Sequence, residues 1–118
     1  MEYPIEIIKD KIGKSYLNKF LDNPFKDMVK FVVDIKRGVI AFGGELHSDA
    51  QEALVKSGSD GKNIWGGNFY PLKKKKKEYI EYFSLINIKP LENNRSMNIE
   101  KSEIKEKMDK VINNLINL

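Results

Sequence analysis

Residues 29–42 read VKFVVDIKRGVIAF, and this stretch predicts a β-hairpin. Apolar side chains occupy every second position of its first half: Val29, Phe31, Val33 and Ile35. Lys30 and Asp34 lie between them, and a period of two is typical of a strand with one buried face. Gly38 can adopt the left-handed conformation that a tight connection requires. Because the apolar run 39–42 follows at once, we predict two antiparallel strands joined by a short turn.

The segments before the hairpin contain a short helix and an apolar opening. In residues 14–22 the apolar side chains follow the spacing i, i+1, i+4, i+5, which places them on one face of a helix. Asn23-Pro24 ends this helix, because a residue before proline avoids the α conformation. The opening stretch 5–8 reads IEII and fits either an edge strand of the sheet or an extended arm.

The helix predicted after the hairpin begins at Ser48. Its start carries two pairs with the spacing of a capping box, Ser48 with Gln51 and Asp49 with Glu52. Gly58, after Ser57, is typical of the residue that follows a helix C-terminus. We therefore interpret residues 45–48 as a junction between a strand and a helix.

Two further strands and a last helix follow. Residues 63–70, NIWGGNFY, predict a strand with a bulge or a close backbone approach at Gly66-Gly67. Residues 79–89 again have the β-rich composition of a strand, and Pro90 ends it. The last segment carries apolar side chains at helical spacing: Ile104, Met108, Val111, Ile112 and Leu115.

This order of elements predicts a single α+β domain over residues 1–118. The expected architecture is an antiparallel or mixed sheet of about four strands, built from two hairpins. About three helices should pack on one face of that sheet, because this is the simplest layered arrangement.

Composition excludes several classes of protein. The chain of 118 residues is 41% apolar and 32% charged, which is typical of a folded globular domain. It contains no cysteine, so disulfides and thiolate zinc sites are excluded. The longest aliphatic or aromatic run, residues 39–42, is far shorter than the roughly 20 residues that span a bilayer. The start, MEYPIEIIKDK, carries Glu2 and Glu6 where a secretory signal has basic and apolar segments. We expect a cytoplasmic protein without a membrane partner.

The positive charge of the chain is concentrated in one segment. The formal net charge is +4, and without the lysine run at residues 73–77 the remaining 16 basic residues face 17 acidic ones. Only Arg37 and Arg95 are arginines, the residue type that makes bidentate contacts to guanine and phosphate. The sequence therefore argues against specific nucleic-acid binding. We interpret the run as a solvated loop tip, with non-specific polyanion binding as the alternative.

The only histidine lies in the junction GGELHSD, residues 43–49. If the junction is extended, Glu45, His47 and Asp49 point to the same side. We call these three residues the junction triad. Two carboxylates and an imidazole could bind a divalent cation or act in general acid–base chemistry. A metal site usually has three or four ligands, and a second histidine is absent, so we assign no metal and no cofactor. The alternative is that these side chains only organise the turn.

Asn68, Tyr70 and Arg95 complete the candidate pocket. A tyrosine near glycines can line a binding site or lie in the core. An isolated arginine can bind an anion or hold its own loop in place. The leading hypothesis is a non-enzymatic binding or interaction module, with a pocket near His47 for a small polar ligand or with a surface for self-association. The alternative is a small hydrolase or metal-dependent enzyme that uses the junction triad.

Four sequence blocks, taken in order, resemble a known family. They are GGELH (43–47), IWGGNFYP (64–71), INIKP (86–90) and NRS (94–96). The family comprises small, uncharacterised prokaryotic proteins classed as a domain of unknown function, and the resemblance runs from Pro4 to the last helix. Lys89 stands where the family is expected to have arginine. The resemblance implies a self-contained domain and no particular activity, and it places any shared site where GGELH meets NFYP and NRS.

Overall fold

A five-stranded antiparallel sheet forms the centre of the fold. The computed structural model describes residues 3–118, so Met1 and Glu2, the latter cited above against a secretory signal, lie outside the described residues. The strands are β1 (Ile5–Ile8), β2 (Ile12–Gly13), β3 (Val29–Asp34), β4 (Val39–Gly43), β5 (Ile64–Phe69), β6 (Ile80–Glu81) and β7 (Ile116–Asn117). The main sheet has the order β1-β4-β3-β5-β6, and β2 pairs with β7 separately. The α+β class is confirmed, with five strands in the main sheet instead of about four.

β3 and β4 form the predicted hairpin. The turn contains Gly38 with a φ of +71°, which is the conformation expected of it. The buried carboxylate of Asp34 accepts hydrogen bonds from the backbone N–H groups of residues 36 and 37, each at 2.9 Å. These side-chain bonds replace the strand ladder. β3 therefore ends at Asp34, one residue before the predicted Ile35.

β1 forms one edge of the sheet. It runs antiparallel to β4, with Ile7 opposite Ala41. The opening stretch is therefore an edge strand, and the alternative of an extended arm is wrong. Its isoleucines at positions 5 and 7 are partly buried beside the core cluster under the first α-helix.

An asparagine side chain takes the place of a strand beside β5. The predicted strand 79–89 is wrong beyond Glu81, because the chain then turns through short 3-10 helices. Asn87 accepts a bond from the Gly66 N–H at 2.8 Å and donates one to the Gly66 carbonyl at 3.0 Å. Its amide therefore bonds to β5 as the backbone of a neighbouring strand would. A Cβ atom at Gly66 would lie 2.9 Å from the Ser84 Cβ, which confirms the predicted close approach.

Helices cover both faces of the sheet, and the prediction of one covered face is wrong. Helix α1 (His47–Lys56) packs through Leu54 in a cluster that includes Val32. Helix α2 (Ser102–Leu115) packs in a second cluster that includes Val33. Adjacent residues of a strand point to opposite faces, so the helices lie on opposite sides. The central strand β3 is apolar on both faces at these positions, which the simple alternation did not reveal.

The predicted helices are present, with changes in type or bounds. The first, Lys14–Phe20, is a 3-10 helix that ends two residues before the predicted Asp22. α1 begins at His47, one residue before the predicted Ser48, and no side chain caps it. Both predicted capping-box pairs are therefore wrong, because the capping position is taken by Leu46, which has no side-chain acceptor. The apolar stripe of α2 packs against the core as predicted, buried at all its positions except Ile104, which is partly buried. Within residues 3–118, no helix combines the length and the apolar character that crossing a membrane requires.

Candidate binding pocket beside His47

A concavity of about 430 Å³ opens between the start of α1 and the irregular segment after β6. We call it the His47 pocket. Its rim carries exposed apolar side chains, Leu46, Phe83 and Leu85, and its floor carries buried polar ones, His47, Asn68 and Ser84. A volume of this size and a mostly apolar lining with few polar groups are typical of small-molecule sites.

His47 is oriented by a bond to β5. Its Nε2 lies 2.7 Å from the carbonyl oxygen of Gly67. A carbonyl can only accept, so Nε2 carries the proton and Nδ1 keeps a lone pair in the neutral ring. Burial lowers the pKa of His47, and the charge of Lys30 lowers it further, against the opposing effects of the Gly67 carbonyl and the Asn68 amide. The imidazole is therefore a neutral hydrogen-bond acceptor at neutral pH.

Asn68 supplies a second acceptor at the floor of the pocket. Its Nδ2 donates to Glu81 Oε1 at 2.9 Å and lies 3.5 Å from the carbonyl oxygen of Phe83. Its Oδ1 is buried and has no hydrogen-bond partner among residues 3–118. Leaving a buried polar atom unpaired costs roughly 1–3 kcal/mol, so a hydrogen-bond donor that reached this oxygen would be stabilised there.

Tyr70 supports the pocket from outside its lining. Its hydroxyl donates to Glu81 Oε1 at 2.9 Å. Burial and the Glu81 carboxylate raise the pKa of Tyr70 to about 12, so it stays protonated as a donor. Glu81 thus joins the two predicted residues Tyr70 and Asn68, and it was missed because nothing in the local sequence marks it.

The junction triad does not converge. Glu45 and Asp49 line a second concavity, of about 800 Å³, which runs along β1 and α1 and does not include His47. The expectation of an extended junction is wrong, because His47 is already the first residue of the helix. Helical positions two apart point about 200° away from each other, which separates His47 from Asp49. Over the described part of the chain, no cluster of three His, Asp or Glu side chains could hold a metal ion.

Arg95 lines neither of these two concavities. It is exposed, and its backbone N–H donates to Glu100 Oε2 at 2.8 Å. The organising residue of this block is its neighbour Asn94, which is buried. The Asn94 amide donates to the carbonyl oxygens of residues 87, 96 and 98 and accepts from the Glu100 N–H. The NRS block therefore holds the loop that borders the His47 pocket.

The apolar rim was not predicted as part of a site. Leu46 is 55% exposed and Leu85 is 69% exposed, although isolated leucines in a sequence are usually assigned to a core. Trp65, beside the glycine pair, is buried in the core. The exposure of an individual apolar side chain depends on the tertiary fold, which local sequence does not report.

A comparison with protein families matches residues 6–115 to DUF5674, described as a protein of unknown function. The chain belongs to this family. The match confirms the resemblance to a family of unknown function, and its extent includes every residue of the His47 pocket. Comparisons with curated proteins and with solved structures gave no significant match. The match to this family covers residues 6–115 and assigns no activity.

Proposed function

We propose that the chain is a binding module that holds a small ligand in the His47 pocket. The observation that carries this proposal is Asn68 Oδ1, a buried acceptor without a partner among the described residues, in a side chain that lines the pocket. A buried polar atom of this kind is normally hydrogen-bonded, and a bound ligand would supply the missing donor.

The rim of the pocket supports the same proposal. Leu46, Phe83 and Leu85 come from two separate segments, and all three expose apolar surface around one opening. A ligand that covers this surface gains about 25 cal/mol for each Å² of apolar area removed from water. Apolar contact thus contributes affinity, while His47 and Asn68 select the polar end of the ligand.

No observation favours the alternative of a hydrolase or metal-dependent enzyme. The junction triad is divided between two concavities, so its carboxylates cannot act together with the imidazole in this arrangement. Self-association, a cytoplasmic location and polyanion binding by the exposed lysine run stay predictions.

A fragment screen tests the proposal. We expect some members of a small-molecule library to shift the backbone amide signals of residues 46–48, 67–69 and 83–86 in a ¹⁵N-labelled chain. Leu46→Ser should weaken these fragments by about threefold or more, because it removes apolar contact at the rim. Leu91→Ser is the matched control, since Leu91 is 97% exposed and lies outside the lining. Fragments that shift only other regions, or none at all, would contradict the proposal.

A further inference from the structure

We infer that the His47 pocket selects a neutral, planar NH₂ group, as in a primary carboxamide, carried on an apolar body. This inference rests on the proposed function and names its ligand class. It follows from the hydrogen-bonding capacity of the floor, from the charges beside it and from the apolar rim.

The floor offers two acceptors. The Asn68 amide donates to Glu81, which orients the group and leaves its oxygen as the free end. The His47 ring donates through Nε2 to Gly67, which leaves Nδ1 as an acceptor. A hydroxyl group has one donor and a carboxylate has none, whereas an NH₂ group has two. A ligand with an NH₂ group is therefore the neutral class that can satisfy both acceptors at once.

The charges around Asn68 favour a neutral group. In the cross-strand row, Asn68 lies opposite Lys30 of β3 on one side and opposite Glu81 of β6 on the other. Because one cation and one anion flank Asn68, a charged ligand of either sign would be attracted by one neighbour and repelled by the other. Lys30 also lines the pocket, and its positive charge disfavours an ammonium ligand there. A carboxylate brings no donor for either acceptor, which leaves the uncharged NH₂ group.

The apolar rim determines that the part of the ligand outside the NH₂ group is apolar. Phe83, Leu85 and Leu46 surround the opening, and about 430 Å³ accommodates a substituted aromatic ring. A planar amide attached to a ring places its polar end at the floor while the ring contacts the leucines and the phenylalanine. Benzamide, benzoate and benzylamine are therefore suitable probes, because they carry an amide, an anion or a cation on the same ring.

The three probes are titrated into the full chain near neutral pH, and binding is followed by the amide signals of the pocket residues. We expect the dissociation constant of benzamide to be about tenfold or more below those of the other two probes. A factor of ten in affinity corresponds to the contribution of one good hydrogen bond. Equal affinities, or tighter binding of benzoate or benzylamine at the pocket, would overturn the amide preference and leave the binding function standing. If neither these probes nor any fragment of the screen shifts the pocket, both proposals fail.

A pair of variants tests the acceptor itself. Asn68→Leu removes Oδ1 with little change in size, and we expect the preference for benzamide over benzoate to fall about tenfold. Asn113→Leu is the matched control, because Asn113 is exposed on α2 and lies outside the lining of the pocket. Its preference should stay unchanged. An unchanged preference in Asn68→Leu would overturn the assignment of that oxygen, and the probe series on the unaltered chain decides the amide preference if this variant does not fold.

Discussion

His47 is held by one strong bond and by its burial. Nε2 donates to the Gly67 carbonyl at 2.7 Å, and the residue is 8% exposed. A second proton on Nδ1 would place a charge in this buried site, close to Lys30. Both effects lower the pKa of His47 below its ordinary value, burial more than the lysine. The same residue that offers an acceptor to a ligand is therefore coupled to the stability of the fold.

We expect His47 to reduce the stability of the fold on acidification. The unfolded chain has an ordinary histidine pKa of about 6.5, so below that pH it binds a proton before the folded chain does. The free energy of unfolding therefore decreases as the pH falls from about 7 through 6.5 toward the lowered pKa of the folded state. His47→Gln removes this proton site and keeps an N–H group for Gly67. The unaltered chain should lose more stability than this variant, by about 1.4 kcal/mol for each unit by which the pKa is lowered.

Urea denaturation at neutral pH and at about pH 5 measures this difference. The two chains share every carboxylate, including Asp109, whose pKa is raised by burial, so the comparison isolates the imidazole. Equal losses of stability in both chains would show that His47 binds its proton equally well in the folded and unfolded states. That outcome would contradict the lowering of the His47 pKa by burial and by Lys30.

Side-chain amides define the element that borders the pocket. Asn87 bonds both backbone groups of Gly66, and its Nδ2 also donates to the Met97 carbonyl at 3.1 Å. Asn94 in turn donates to the Asn87 carbonyl at 2.8 Å. The segment between β6 and α2 is therefore fixed without forming a strand.

Removing the Asn87 amide should loosen this element. Asn87→Ala leaves the Gly66 N–H and carbonyl unpaired in a buried position, and we expect the free energy of unfolding to fall by about 2–4 kcal/mol. Hydrogen exchange of the Gly66 amide should accelerate more than that of amides in α2. Asn98→Ala is the control, because the Asn98 side chain is exposed. The bond from Asn94 goes to the Asn98 backbone carbonyl, which the substitution keeps. Similar effects of the two substitutions would contradict the role of the Asn87 amide.

The same element shows where sequence analysis succeeds and where it fails. The β3–β4 hairpin and the stripe of α2 were predicted correctly, because each depends on a local period and on a nearby turn or loop. Residues 79–89 favour extended backbone, but composition does not tell whether a strand or a side chain supplies the bonds to β5. The pocket joins the start of α1 to Asn68 and Ser84, which are brought together by strand pairing and by Asn87. Such contacts between distant segments leave no local pattern.

Two separate apolar clusters stabilise the molecule, one on each face of the sheet. Ile40 lies in the cluster under α2, and Ile64 lies in the cluster under α1. Both side chains are fully buried. Because the sheet separates the clusters, losses of packing on one face should be independent of losses on the other. By contrast, Phe31 and Phe42 lie in one cluster with ring centroids 5.8 Å apart.

Double substitutions test this two-sided architecture. Ile40→Val and Ile64→Val should each lower the free energy of unfolding by about 0.5–1.5 kcal/mol, the usual effect of removing one buried methylene. Their double variant should equal the sum within about 0.5 kcal/mol, whereas Phe31→Leu combined with Phe42→Leu should deviate by more than that, because contacting residues couple. Chemical denaturation of the two sets of variants supplies the four energies of each cycle. A deviation for the isoleucine pair as large as that for the phenylalanine pair would contradict the independence of the two faces. It would mean that the sheet moves toward a cavity on one face and so changes the packing on the other.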